Sequence, residues 1–242
     1  MAKYLEQLIE AEDSFLIVAG TTTAVNRAGR CPPFVKARLL KRFSRQENLL
    51  TSSEEITMKL ATTYFEGMGK TFTKETLAIA SVRAADLGIR DIVLACYTGY
   101  TMEKALEAFS GQGVRLIAVG GAREQFPPDL LGRSEEQGHA VIFHREVGKP
   151  FPEVVANAYR RLSEGVKVCV QIVGDAVEAG LLTEGTRVIA IAGTGLSGFP
   201  EGGGADTALV MSALATERYG TEEQMPSKSE RRAIHEILCK PL

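Results

Sequence analysis

The sequence predicts an α/β protein built on a mostly parallel sheet. Two short, continuous apolar runs, Ile92 to Cys96 and Val188 to Ala192, are rich in β-branched residues, as suits strands covered on both faces. Segments with helical spacing of apolar residues alternate with such runs, and that alternation implies crossovers returning each strand parallel to the last. Both runs then break into small-residue loops, in DIVLACYTGYT (Asp91 to Thr101) and RVIAIAGTGLSGFPEGGGADTA (Arg187 to Ala208).

Residues 1 to 12 suit an amphipathic helix with Leu5, Leu8 and Ile9 on one face. Phe15 to Ala19 fits a strand, broken by Gly20 and three threonines. Pro32-Pro33 could start a helix from Phe34 to Phe43. The basic segment Lys36, Arg38, Lys41, Arg42 and Arg45 reads as a solvated face. Residues 1 to 60 are therefore expected to be a partly helical extension that docks on the main domain or on a neighbouring subunit of a homo-oligomer. Residues 61 to 242 are expected to form the α/β domain.

From Ala61 the pattern is regular. A short strand, Thr62 to Phe65, leads through Gly67-Met68-Gly69-Lys70 into a helix from about Lys74 to Leu87, with Leu77, Ala80, Ala84 and Leu87 as its buried stripe and Gly88 closing it. Strand 91 to 96 is followed by a helix over 102 to 110, whose Met102, Ala105, Leu106 and Phe109 share a face and whose expected N-cap is Thr101. Val114 to Val119 is another strand. Pro127-Pro128 starts a helix to about Gln137, and Ala140 to Phe143 is a third strand. Phe151, Val155, Ala158 and Leu162 make a helix stripe ending at Gly165. The next piece, VKVCVQIVGDAVEAG, conflicts with itself: Val166, Val168, Val170 and Ile172 alternate like a strand, whereas Val166, Val170, Val173 and Val177 fit a helix. Strands Val188 to Ala192 and Thr207 to Met211 follow, and Ala233 to Cys239 fits an added edge strand.

The totals exclude several classes. With 242 residues, 45% hydrophobic and 24% charged, the chain has the composition of an ordinary globular protein, and a formal net charge of -2 leaves no basic footprint for nucleic acid. No apolar run reaches membrane-spanning length, and acidic residues stand where a secretory signal would have its apolar core. A cytoplasmic protein is the expectation. Cys31, Cys96, Cys169 and Cys239 are far apart, and His139, His144 and His235 show no ligand spacing, so no metal site is expected.

A strand, a small polar loop and a helix start in succession leave unpaired N–H groups at the positive end of a helix dipole, which favours an anion near Thr98 to Thr101. Such a loop also occurs in α/β proteins that bind nothing there. The second loop, with Gly193, Gly195, Gly198 and Gly202 to Gly204, permits close backbone approach to a ligand. Two loops at the carboxyl ends of strands can bracket a ligand where strand order reverses.

The run IVLACYTGYTMEKALE, followed by GLLTEGTRVIAIAGTG and GGGADTALV, resembles the C-terminal domain of pyruvate kinase, in which such a strand, loop and helix bind the phosphate of a sugar bisphosphate effector. It is more similar still to the stand-alone pyruvate kinase C-terminal-domain-like family. TYFEGMGKTFTKETL, PPDLLGRSEEQGHAVIF, VKVCVQIVGDAVEAG and EILCKP also match, so the resemblance spans about Thr62 to Leu242 and leaves residues 1 to 60 uncovered. It implies a three-layer α/β/α domain with five strands in the order 3-2-1-4-5 and strand 5 antiparallel, strands 1 and 4 being residues 91 to 96 and 187 to 192. It also implies that VKVCVQIVGDAVEAG is a helix, and that the ligand carries phosphate, with flavin mononucleotide (FMN) the leading candidate. The sequence departs from the family at Cys96 to Thr101, where Ser-Ser-Tyr-Gly-Asp-Thr is usual, at Gln171, where a carboxylate is usual, and at Gly120-Gly-Ala-Arg-Glu124, where a His-bearing loop is usual.

Pyruvate kinase activity is not expected, because its catalytic barrel needs roughly 200 residues or more. The first reading is a binding protein for a phosphorylated small molecule, FMN or a sugar phosphate, in a crevice between loops 97 to 101 and 193 to 206. Thr98, Gly99 and Thr101 would hold the phosphate, with Gly193, Thr194 and Gly195 opposite. Tyr97 or Tyr100 would stack on a flat ring, Lys70 with Thr73 and Thr76 would neutralise charge, Asp206 and Thr207 would close the loop, and Arg123 could pair with the phosphate. The alternatives are a flavin-dependent or phosphometabolite enzyme in the same crevice, with Asp175, Glu178 and Asp206 as acid/base candidates, or an oligomeric module with no ligand. No nucleophile with a paired base is visible in the sequence.

Overall fold

The computed structural model describes residues 16–17, 24–25, 59–194, 203–219 and 233–242. The chain divides into two compact units, Met1–Lys59 and Leu60–Leu242. In the first, Leu16–Ile17 (β1) pairs antiparallel with Ala24–Val25 (β2). The helices expected over 1 to 12 and 34 to 43 and the basic segment lie outside the described residues, as does most of the strand expected over Phe15 to Ala19.

The second unit begins with Thr63–Phe65 (β3), a 3₁₀ turn over Lys70–Phe72 and the helix Thr73–Leu87 (α1). Gly88, left-handed at φ 64°, closes α1 by donating its N–H back to Ala84 and Ala85. Asp91–Ala95 (β4), Tyr100–Ala108 (α2), Arg115–Gly120 (β5), Pro128–Glu136 (α3) and Ala140–Phe143 (β6) follow. The chain then turns through His144–Val147 (α4) and Glu153–Arg160 (α5) into the long helix Glu164–Glu178 (α6), and ends with Arg187–Ala192 (β7), Thr207–Ser212 (β8) and Ile234–Pro241 (β9).

The sheet runs β3-β9-β8-β7-β4-β5-β6. Its inner run β6-β5-β4-β7-β8 is the expected order, and only β8 runs against its neighbours. The five-strand count is corrected to seven among the described residues. Ala233 to Cys239 is not an edge: β9 lies between β8 and β3, with β3 parallel to it at Cys239 to Pro241 and Thr62 Oγ1 donating to the Ile237 carbonyl. A short polar strand that closes onto the carboxyl end of the chain has no local signature of its partner.

Alternation along the strands separates two cores. Ile92, Leu94, Ile189 and Ile191 pack on one face with Leu77 and Ala80 of α1, Met102 and Ala105 of α2, and Leu130 of α3. Val93, Ile117, Val188 and Ala190 pack on the other with Val166, Cys169, Val170, Val173 and Ala176 of α6. Each large side chain so buried contributes about 1.5–3 kcal/mol. The conflict over VKVCVQIVGDAVEAG is thus settled as helix: its stripe covers the second sheet face, and Ser163 Oγ caps it by accepting from the Val166 N–H at 3.1 Å. Gly165 does not end the preceding helix. It is the second residue of α6, where any Cβ would strike the Thr207 side chain.

The interior position of β9 makes a specific expectation. Leu238 is buried in the first core, so Leu238→Ala should lower unfolding free energy in urea by about 2–4 kcal/mol, whereas an edge position would lose a fraction of that.

Candidate functional site

Asp206 stands at the start of β8 with no exposed surface. Its carboxylate accepts from the Gly69 N–H at 2.7 Å, the Thr194 N–H at 2.9 and 3.0 Å, the Thr194 hydroxyl at 2.9 Å and the Thr207 hydroxyl at 2.8 Å. One buried charge therefore joins the loop before α1, the end of β7 and the start of β8. Thr73 and Thr76 reinforce the joint, Thr73 Oγ1 accepting from the Ala205 N–H at 2.9 Å and Thr76 Oγ1 donating to the Ala205 carbonyl at 3.3 Å. Gly204 meets them at φ 75°, where a Cβ would come within 2.6 Å of Lys70 Cα. Thr73, Thr76, Asp206 and Thr207 are all buried, and they shape the loops from beneath.

The loop after β4 presents a different surface. Tyr97 and Thr98 are exposed, Tyr100 is half-buried, and Lys70 Nζ lies 4.2 Å from the centre of the Tyr100 ring. Thr101 is not the N-cap of α2. Gly99 takes that place at φ 86°, hemmed in by Leu130 and Pro127, while Thr101 is inside the first turn and buried. No side chain caps these amides from the N-cap position. The Met102 N–H reaches the buried Cys96 sulfur at 3.4 Å. Burial pushes the Cys96 thiol up to about 11, and the amides of Met102, Gly99 and Thr101 oppose that shift.

So the structure brings Lys70, Tyr100 and the loop 97–101 together, and ties Gly69 to Thr194 through Asp206. Gly193 and Thr194 are partly exposed at the end of β7, and Gly195 lies outside the described residues. Arg123 pairs with Glu146 at 3.0 Å and covers the Phe143 ring, so its charge is already matched.

A second group of polar residues lies on the α6 side of the sheet. Asp175, 1% exposed, has Oδ2 at 2.8 Å from His144 Nδ1, and the Gln171 amide nitrogen is 3.3 Å from His144 Nε2. Burial raises the Asp175 carboxyl above its ordinary value, and the His144 hydrogen bond works against that rise. Glu178 binds Lys149 at 2.6 Å, which raises the lysine, and accepts from the Thr216 N–H at 3.3 Å. Reading the sequence for ligand spacing passed over His144. The visible signal was Asp175 itself, a carboxylate within the Val-rich segment VKVCVQIVGDAVEAG. Among the described residues no group of three or more His, Cys, Asp or Glu could hold a metal ion, and no helix is long and apolar enough to cross a membrane.

No family model matches the chain. Among solved structures it is similar to a Cryptosporidium parvum pyruvate kinase in complex with ADP, at 17% identity and TM-score 0.32 over 74% of this chain. A second pyruvate kinase structure from that organism matches at 16% identity and TM-score 0.31, again over 74%. The chain spans 28% of the length of each. Likeness at this level does not extend to activity.

The Asp206 joint can be weighed by mutation. Asp206→Ala leaves several buried donors unpaired and should cost about 3–5 kcal/mol in chemical denaturation. Thr73→Ala removes one acceptor and should cost about 1–2 kcal/mol.

Proposed function

We propose that the second unit binds a phosphorylated small molecule at the carboxyl ends of β4 and β7, between loop 97–101 and the loop that begins at Gly193. The observation that carries this reading is Lys70 held against Tyr100 at the start of α2, where the N-cap is glycine and brings no side chain to the first amides. A cation beside a helix N-terminus favours a phosphate. Cys96 satisfies those amides only in part, because a thiol sulfur is a weak acceptor.

The place in the sheet supports the same reading. β4 and β7 are neighbours; from β4 the chain continues through α2 to β5 on one side, and from β7 it continues to β8 on the other. That is the reversal of strand order at which open α/β sheets leave a crevice. Lys70 would supply charge and Thr98 a hydroxyl donor. Thr194 Oγ1 already donates to Asp206, so its part is to shape the rim. Exposed Tyr97 offers a face to a flat ring, which suits FMN better than a sugar phosphate.

Purified protein should carry a flavin absorption band, or gain thermal stability when FMN or a sugar phosphate is added. Ligand at a hundred times its Kd contributes about 2.7 kcal/mol. Lys70→Ala should weaken binding about tenfold, equivalent to about 1.4 kcal/mol. A colourless protein that releases no phosphorylated compound and whose Tm responds to neither ligand would overturn the reading.

A further inference from the structure

The row of residues just beyond the carboxyl ends of β4, β5 and β6 is aligned on the α6 side. Val93 and Ala95, Val119, and Ile142 belong to the core beneath α6. Two residues further on each strand come Tyr97, Gly121 and His144, which by strand alternation keep to the same side. The register agrees, since Ala95 pairs with Val119 and Gly120 with Phe143, and the Arg145 N–H donates to the Gly121 carbonyl. With no side chain at Gly121, the Tyr97 ring leans into that space, and any Cβ at 121 would collide with it. Tyr97, 46% exposed, therefore extends along the row toward His144, on strands two spacings apart, or about 10 Å.

His144 is held as a base should be. Nδ1 faces the carboxylate of Asp175 and Nε2 faces the amide nitrogen of Gln171, so the tautomer with its proton on Nδ1 and an accepting Nε2 satisfies both contacts together. Gly148 makes room for the ring, because a Cβ there would overlap it. The buried Asp175 keeps one oxygen, Oδ1, without a partner. The charges that act on Asp175 besides His144 are matched, Glu178 by Lys149 and Lys167 by Glu164. The uncompensated carboxylate is thus the one behind the histidine.

We propose that His144, positioned by Asp175, transfers a proton to and from a small molecule whose flat ring lies on Tyr97 and bears an ionisable O–H or N–H. In the forward step the ligand O–H bond breaks, a bond from the proton to Nε2 forms, and the electron pair stays on the ligand oxygen. The imidazolium charge is met by Asp175, and Gln171 swings off Nε2 to admit the ligand. The inference stands on this row of residues and holds whether or not phosphate binds near Lys70.

The probe is p-nitrophenol, a flat ring with an ionisable hydroxyl, no phosphate, and a yellow phenolate. In a buffer where the free phenol stays mostly protonated, adding protein should produce phenolate absorbance that saturates. His144→Gln should abolish that signal, and Asp175→Asn should reduce it and remove the Nδ1 proton from the long-range ¹H–¹⁵N NMR spectrum of the imidazole. Tyr97→Ala should weaken binding about tenfold while leaving the phenolate fraction of bound probe unchanged. Because Tyr97 is a surface side chain, its variant keeps the test open if Asp175→Asn fails to fold. Absence of binding, binding without phenolate, phenolate that survives His144→Gln, or an imidazole proton found on Nε2 would each overturn the proposal.

Discussion

The buried carboxylate of Asp206 is the constraint on which the rest of this unit's arrangement depends. A charge removed from water costs several kcal/mol unless its lone pairs are all engaged. Here donors from Gly69, Thr194 and Thr207 engage them, and these residues come from three separate parts of the chain. Such an arrangement is stable only when all three are in place, so it selects one relative position for the loop ahead of α1, Thr194 after β7 and the start of β8. Lys70 is next to Gly69, and its approach to Tyr100 is a consequence of that selection.

The sheet then divides the chemistry between its two sides. Lys70 and Tyr100 gather where α1 and α2 cover the first core, and Tyr97, His144 and Asp175 gather under α6 on the second. Loop 97–101 belongs to both groups because it ends a strand buried on both faces: Tyr97 continues the alternation of Val93 and Ala95, while Tyr100 opens α2. A ligand lying over the end of β4 could meet a cation on one side and a base on the other.

Much of the fold was legible because strands covered on both faces advertise themselves as β-branched runs and their crossover helices as apolar stripes. Residues 91 to 96, 140 to 143 and 188 to 192 needed nothing else. What was illegible depended on contacts distant in sequence. β9 takes its interior place from β3, which is more than 160 residues away. Gly165 looked like a helix end because its reason for being glycine is Thr207, on β8. Of the threonines in and around the Thr/Gly loops, most are bonded beneath the surface. Hydroxyl side chains close in sequence to a glycine loop cannot be sorted into ligand contacts and loop supports without knowing what lies under them.

Asp175 presents the sharpest conflict between local and global requirements. It is buried on α6 away from the stripe of Val166, Val170, Val173 and Val177, and it is desolvated almost completely. An apolar residue of similar size there would avoid the desolvation penalty, and replacing a buried ionic pair with apolar packing is commonly neutral or stabilising. The helix does not need Asp175 for capping, since Ser163 caps one end and the chain leaves the other through Ala179 and Gly180. The hydrogen bond to His144 could tether α4 to α6, but a tether does not call for a carboxylate with one oxygen left unpaired. Natural sequences depart from locally consistent choices chiefly where function is exacted. A carboxylate buried almost completely beside a half-exposed imidazole is a departure of that kind, and it makes the α6 side of the carboxyl edge the place to look for chemistry.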